Sequence, residues 1–239
     1  MSNTLLNTIK VVLWDIDGTI LNFHEAQKYA IRKLFSEYNL GECSDKMLSD
    51  YDSINKKYWQ ALERGELSKQ EVLTGRFKEF FKKYELDTSI VTAFNDSYQL
   101  SLGDTICYYE GAREAIANFA EMGITQFAVT NGTKVAQDKK LSKTGLDKIF
   151  DGIFISEEVG FEKPNPGFFE PVLEKAREIH KDIQLDEIII IGDSLTSDIK
   201  LGNNVGIKTC WFRHDGEQDT DLRVDIEVRS IKELCRREI

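Results

Sequence analysis

The 239-residue chain is short of proline. It has three, Pro164, Pro166 and Pro171, and all fall inside one eight-residue window. That window is where the backbone is stiffened by residue type. Cysteine is scarce too. Cys43, Cys107, Cys210 and Cys235 form no CxxC pair, and His24, His180 and His214 show no ligand spacing. A short-spaced zinc module is therefore excluded, and the thiols read as free thiols of a reducing cytoplasm. No apolar run approaches the ~20 residues of a membrane span. The opening MSNTLLNTIK has neither the basic start nor the apolar stretch of a secretory signal, so no membrane partner is expected. Positive charge is also short: 31 Lys and Arg stand against 41 Asp and Glu, a net charge of −10. With no basic block in the chain, a nucleic-acid polymer is not the expected partner. A small phosphorylated metabolite stays open, because a pocket needs only local positive charge. No internal repeat or low-complexity tract is present.

What is there is the composition of a globular protein, 41 % hydrophobic and 30 % charged. Short apolar, β-branched runs read as buried strands at 9–15, 124–130, 152–156, 187–192 and 206–212. Between the later ones lie helical patterns at 111–121, 133–144, 167–180 and 194–203. This alternation predicts an α/β fold, a doubly wound parallel sheet with helices on both faces. One stretch breaks it: residues 22–102 hold four helical patterns and no strand of note. The expectation is a discontinuous core, 1–21 and 103–239, with 22–102 inserted as an all-helical domain.

In open α/β sheets ligands bind beyond the carboxyl ends of the strands. Candidate residues cluster there. The first strand ends in Asp15-Ile16-Asp17-Gly18-Thr19, the second in Thr130-Asn131-Gly132. The third leads to Glu162-Lys163-Pro164, and the fourth to Gly192-Asp193-Ser194, with Asp198 close behind. Singly, each has an ordinary explanation: Asp15 or Asp17 as turn aspartates, Lys163 as a surface lysine before a helix capped by Asn165, Asp198 as a surface acid. Thr130 to Gly132 could equally be a strand-to-helix cap, or a phosphate cradle built from a hydroxyl and backbone N–H groups.

Taken together, DIDGT, VTNG, the EKP lysine and GDSLTSD resemble the four motifs of the haloacid dehalogenase superfamily, in its capped phosphatase branch. The resemblance covers the core and both ends of the insert, and it implies a Rossmann-like core with a helical cap that closes over small substrates. It also implies a Mg²⁺ site, a hard cation that suits crowded carboxylates, held by Asp15, Asp193 and the backbone carbonyl of Asp17. Asp15 would be the nucleophile and Asp17 the proton donor and acceptor. Lys163, Thr130, Asn131 and Gly132 would hold the phosphate, and Asp198 would orient Asp193, Lys163 or a metal-bound water. Within the superfamily the chain is most similar to pyrimidine 5′-nucleotidases, which implies a nucleoside 5′-monophosphate substrate and a monomer or homodimer. The alternatives are a sugar-phosphate or phosphoglycolate phosphatase, a phosphomutase, a 2-haloacid dehalogenase or a silent binding protein. In the insert, Phe23, Tyr58, Trp59 and Tyr98 could stack on a planar leaving group but read rather as helical core, and Arg76 and Lys28 could reach a substrate's polar part but read rather as solvated faces. His24 follows the first motif closely enough to touch substrate, but reads as a surface residue.

Overall fold

The computed structural model describes residues 8–216 and 219–235. The chain opens with strand β1 (Val11–Trp14) and then runs through four helices, α1 (Phe23–Glu37), α2 (Asp45–Glu63), α3 (Lys69–Lys83) and α4 (Val91–Ser101). There follow α5 (Ala112–Glu121), β2 (Thr125–Thr130), α6 (Lys134–Thr144), β3 (Gly152–Ile155) and a single turn, α7 (Ser156–Val159). The rest is α8 (Phe169–Ile179), β4 (Ile188–Gly192), α9 (Lys200–Val205), β5 (Lys208–Phe212) and β6 (Ile226–Val228).

The six strands form one parallel sheet in the order β3-β2-β1-β4-β5-β6. This is the doubly wound order, and the chain reverses direction of travel beside β1. β1 and β4, reading VVLW and IIIIG, are buried along their whole length, as central parallel strands covered on both faces must be. Alternation divides their side chains. Val11, Leu13, Ile188 and Ile190 join Phe168, Phe169, Val172 and Leu201 in one core cluster. Trp14 points the other way: its ring lies 5.7 Å from Phe119 of α5, and its Nε1 donates to Gln126 Oε1 at 2.9 Å.

Two compact units are present. One comprises residues 1–22, 107–134 and 144–239; the other comprises 23–106 together with 135–143, most of α6. The helical unit packs an aromatic core in which Phe77 meets Tyr51, Phe94 and Tyr98 at ring separations of 4.9, 5.1 and 5.0 Å. Its helices are started by side chains: Ser44 caps α2, and Ser68 with Glu71 forms a reciprocal capping box on α3. Among the described residues no helix is long and apolar enough to cross a membrane. All four cysteines are free.

Three details differ from the sequence reading. β6 was not anticipated, because three residues between charged neighbours give no periodicity to detect. The helix expected over 167–180 begins with a 3₁₀ turn at Pro166–Phe168, capped by Asn165, and its α-helical part starts only at Phe169. Pro171 then falls in the first helical turn, where a missing N–H costs nothing. The helix expected over 194–203 is instead a π turn, Leu195–Ile199, followed by α9.

Candidate active site

The register of the sheet sets the first distances. Trp14 lies opposite Ile191, and Asp15 N donates to Ile191 O at 3.0 Å, so Asp15 leaves β1 level with Gly192 and Asp193. Beyond Asp15 the chain turns tightly. Ile20 N and Leu21 N both donate to Ile16 O, and Gly18 N donates to Leu21 O at 2.9 Å. Gly18 has φ +102°, and a Cβ there would stand 2.6 Å from the Asp193 carboxylate oxygens, so only glycine fits. Gly192 is required for another reason. The wide π turn swings Asp198 back over it, and a Cβ on Gly192 would lie 2.3 Å from the Asp198 carboxyl carbon.

Asp15, Asp193 and Asp198 each offer a carboxylate oxygen, all within 4.8 Å of one another. Lys163 is buried among them, 1 % exposed. Its ammonium donates to Asp15 Oδ1 at 2.9 Å, Asp198 Oδ1 at 2.6 Å and Val129 O at 2.8 Å. Those three bonds use all three of its donors. Burial alone would push Lys163 down; the charges of Asp15 and Asp198 outweigh it and hold the ammonium above its ordinary value. Burial pushes the Asp15 carboxyl up to about 7, opposed by Lys163 and reinforced by Asp198 and Asp17. Asp193 is likewise raised well above the usual carboxylate range, first by burial and then by Asp15 and Asp198. Three carboxylates around one ammonium carry excess negative charge, and proton uptake or a cation relieves it.

The chemistry of this donor set fits a hard divalent cation. Asp15 Oδ2 is buried and has no hydrogen-bond partner among the described residues. Asp198 has both oxygens engaged, Oδ1 by Lys163 and Oδ2 by Ser194 N at 3.2 Å. Asp193 accepts from Thr19 Oγ1 at 3.1 Å through Oδ1. Asp15 and Asp193 are thus the carboxylates with capacity to spare, while Asp198 is committed to Lys163. Asp17 is partly exposed in the turn beyond β1.

At the end of β2, Thr130 is buried, and its hydroxyl oxygen accepts from Gly132 N at 3.0 Å. Asn131 has a bond pattern that the sequence did not reveal. Its side-chain amide donates to Lys163 O and accepts from Lys163 N, each at 2.8 Å. A primary amide matches a peptide's donor and acceptor together, so Asn131 clamps the backbone that carries the lysine. The Lys163–Pro164 peptide that follows is cis.

Two residues beyond the first four strand ends join the site. Trp211 Nε1 donates to Asp193 O at 3.0 Å, and His214 Nε2 contacts Gly18 O at 2.9 Å. Both lie at the carboxyl end of β5, so the strand-end rule applied to the fifth strand as well would have singled them out. The residues of the insert divide. Tyr98 is buried, Phe23, Tyr58 and Trp59 are partly so, and His24 and Lys28 are exposed, His24 hydrogen-bonded to Asp52 and Lys28 ion-paired to Glu25. Arg76 corrects the sequence reading. It is 1 % exposed rather than solvated, because amides of neighbouring helices, Asn55 and Asn95, take the place of water around it.

Comparison with known proteins agrees with this geometry. The family model for haloacid dehalogenase-like hydrolases matches residues 12–212. The protein YfnB of Bacillus subtilis is 34 % identical over 94 % of this chain and 93 % of its own. A crystal structure of that protein bound to magnesium superposes with a TM-score of 0.84, covering 95 % of this chain and 96 % of the other. The pyrimidine 5′-nucleotidase PynA of Streptococcus pneumoniae is 32 % identical over 94 % of this chain and 93 % of its own. A glyceraldehyde 3-phosphate phosphatase of Methanopyrus kandleri is 29 % identical over 92 % and 91 %. With the family model spanning the sheet from β1 to β5, and with four strand ends meeting at one carboxylate cluster, the chain belongs to the haloacid dehalogenase-like hydrolases.

Proposed function

We propose that the chain is a Mg²⁺-dependent phosphoric monoester hydrolase that works through an aspartyl-phosphate on Asp15. The observation that carries this is the Asp15 carboxylate itself. One oxygen is held by Lys163, and the other is buried without a partner beside Asp193. A buried acceptor left unbonded costs about 1–3 kcal/mol, which a ligand can return. The ion would be held by the carboxylates of Asp15 and Asp193 and, on the family resemblance, by the Asp17 backbone carbonyl. When bound it offsets the repulsion between those carboxylates and an incoming phosphate.

The residues of the chain do the rest. Asp15 attacks phosphorus, the bond to the ester oxygen breaks, and its electron pair departs with that oxygen, which takes a proton from Asp17. Water then attacks the phospho-enzyme and gives its proton to Asp17. The bond from phosphorus to Asp15 breaks, releasing inorganic phosphate and restoring the carboxylate. Lys163 balances charge, Thr130 and the N–H groups of Asn131 and Gly132 hold phosphate oxygens, and Asp198 keeps Lys163 in place.

The substrate we favour is a nucleoside 5′-monophosphate with a pyrimidine base, which the likeness to the pneumococcal nucleotidase supports. The Methanopyrus relative supports a small sugar phosphate as the second reading. Either suits a cytoplasmic metabolite enzyme, monomeric or homodimeric, without a polymer or membrane partner. The test is phosphate release with Mg²⁺ from pyrimidine and purine monophosphates, glyceraldehyde 3-phosphate, phosphoglycolate and glucose 1-phosphate. Preference for UMP, CMP or dTMP supports the first reading, and preference for a triose phosphate replaces it with the second. Asp15→Asn is expected to lower turnover of an aryl phosphate by about 10³-fold or more with the fold intact. Activity near wild type in that variant removes Asp15 as nucleophile.

A further inference from the structure

His214 lies two residues past β5 and was unremarkable in the sequence. Its Nε2 is 2.9 Å from Gly18 O and 3.7 Å from Asp193 Oδ2. A carbonyl oxygen only accepts, so Nε2 carries the proton and donates it to Gly18. The ring is braced by Phe212, at a centroid separation of 4.5 Å, and by Tyr109 at 5.3 Å. Tyr109 is itself fixed to the same turn through its backbone N–H, which donates to Ile20 O at 3.0 Å.

Gly18 is the point in the turn with the most torsional freedom. The peptide joining Asp17 to Gly18 is planar, so the bond from Gly18 N to Leu21 O sets the direction of the Asp17 carbonyl in the same plane. The next plane, which carries Gly18 O, is held by His214. Both planes flanking the glycine are therefore fixed from outside, one by the turn and one by this histidine. The same imidazole stands against one oxygen of Asp193, whose other oxygen is held by Thr19 and whose carbonyl is held by Trp211. Gly18 and Asp193 thus meet at one ring just beyond β5, with Asp17 one peptide away, and Gly18 has no room for a side chain because Asp193 fills that space.

We propose that His214 is a positioning residue for the cation ligands. Its Nε2–H locks the Gly18 peptide and keeps the Asp17 carbonyl and the Asp193 carboxylate at the spacing that a divalent ion needs. This rests on the Mg²⁺ site proposed above. Groups one step behind a metal ligand typically account for 10- to 100-fold in metal affinity.

The experiment compares wild type with His214→Ala, His214→Gln and His214→Phe. Mg²⁺ binding is measured by calorimetry without substrate, and the Mg²⁺ dependence of aryl phosphate hydrolysis is measured alongside. Alanine is expected to weaken Mg²⁺ binding about 10-fold and to shift the activation midpoint by a similar factor, with excess Mg²⁺ recovering most of the rate. Glutamine supplies an N–H in place of Nε2–H and is expected to recover most of the affinity. Phenylalanine keeps a ring but no donor and is expected to bind Mg²⁺ as weakly as alanine, so the test survives if the alanine variant fails to fold. Unchanged Mg²⁺ affinity in the alanine and phenylalanine variants, or a glutamine variant no better than phenylalanine, overturns the proposal. A wild type that binds Mg²⁺ and hydrolyses the aryl phosphate in that case leaves the functional reading standing. A wild type that does neither overturns both.

Discussion

Lys163 in the sheet unit and Arg76 in the helical unit are both buried cations, and the two are stabilised by different chemistry. In the sheet unit Lys163 is 1 % exposed and sits between two carboxylates. In the helical unit Arg76 is equally buried, yet among the described residues no carboxylate pairs with it. Its Nη1 donates to Asn55 Oδ1 at 2.7 Å and Nη2 to Asn95 Oδ1 at 3.3 Å. The guanidinium also lies over the rings of Phe77, Tyr98 and Trp59, at 5.1, 5.2 and 5.8 Å. The anions of this network are reached only through amides: Asn95 Nδ2 donates to Asp96 Oδ1 at 3.4 Å, and Asn55 donates to Gln27, which donates to Asp52 near the surface. An arginine tolerates this because its charge is delocalised and weakly hydrated and its flat face suits aromatic rings. A lysine is a compact and strongly hydrated charge, and Lys163 is met by two full anions. The comparison teaches that Lys163 is held by groups whose own charge is in use, whereas Arg76 is solvated by groups that lose little without it.

The largest effect is expected at Lys163. Lys163→Met leaves Asp15 and Asp198 buried without their cation, and breaking such a pair from one side costs about 3–5 kcal/mol. Urea unfolding reads the loss, and turnover is expected to vanish with it. Arg76→Met is expected to cost less, about 1–3 kcal/mol, because Asn55 and Asn95 keep Trp59 and Gln99 as donors. If Arg76→Met is the more destabilising of the two, the distinction drawn here is wrong. The smallest effect is expected at the surface end of the same amide chain. A hydrogen bond that His24 Nδ1 donates to Asp52 Oδ1, at 3.0 Å, raises His24 above its ordinary 6.5. A base raised on folding stabilises fully below its unfolded value, and that contribution is lost as pH climbs through the raised one. His24 is exposed and Asp52 partly so, and water screens the pair, which contributes no more than about 0.5 kcal/mol. NMR titration should find His24 raised in wild type and no longer raised in Asp52→Asn. A raised His24 in that variant would put its partner elsewhere.

Much of the site could be read in advance because parallel strands impose a rule on their own ends. Short apolar runs located β1 to β5, and the polar residues just beyond four of them, Asp15, Thr130, Lys163 and Asp193, include the groups that meet in space. The rule says nothing of how those groups are kept there. Asn131 was read for its backbone N–H, whereas its side chain is what grips Lys163. Asp198 was placed on an ordinary helix, whereas a π turn folds it back onto Gly192. His214 stands past the fifth strand end, but nothing local joins it to its partner Gly18, 196 residues away. Arg76 was read as solvated because charge and helical period describe one helix at a time, and its amides come from α2 and α4.

The sequence by itself determined β1 to β5, the helical stretch between β1 and β2 and the polar side chains that stand at the strand ends, since periodicity and strand-end chemistry are local properties of a few consecutive residues. Only the tertiary structure decided which carboxylate keeps a free oxygen, which amide holds the lysine and which ring locks the glycine. Hydrogen bonds and burial belong to pairs of residues, and the members of these pairs are brought together only when the sheet is assembled.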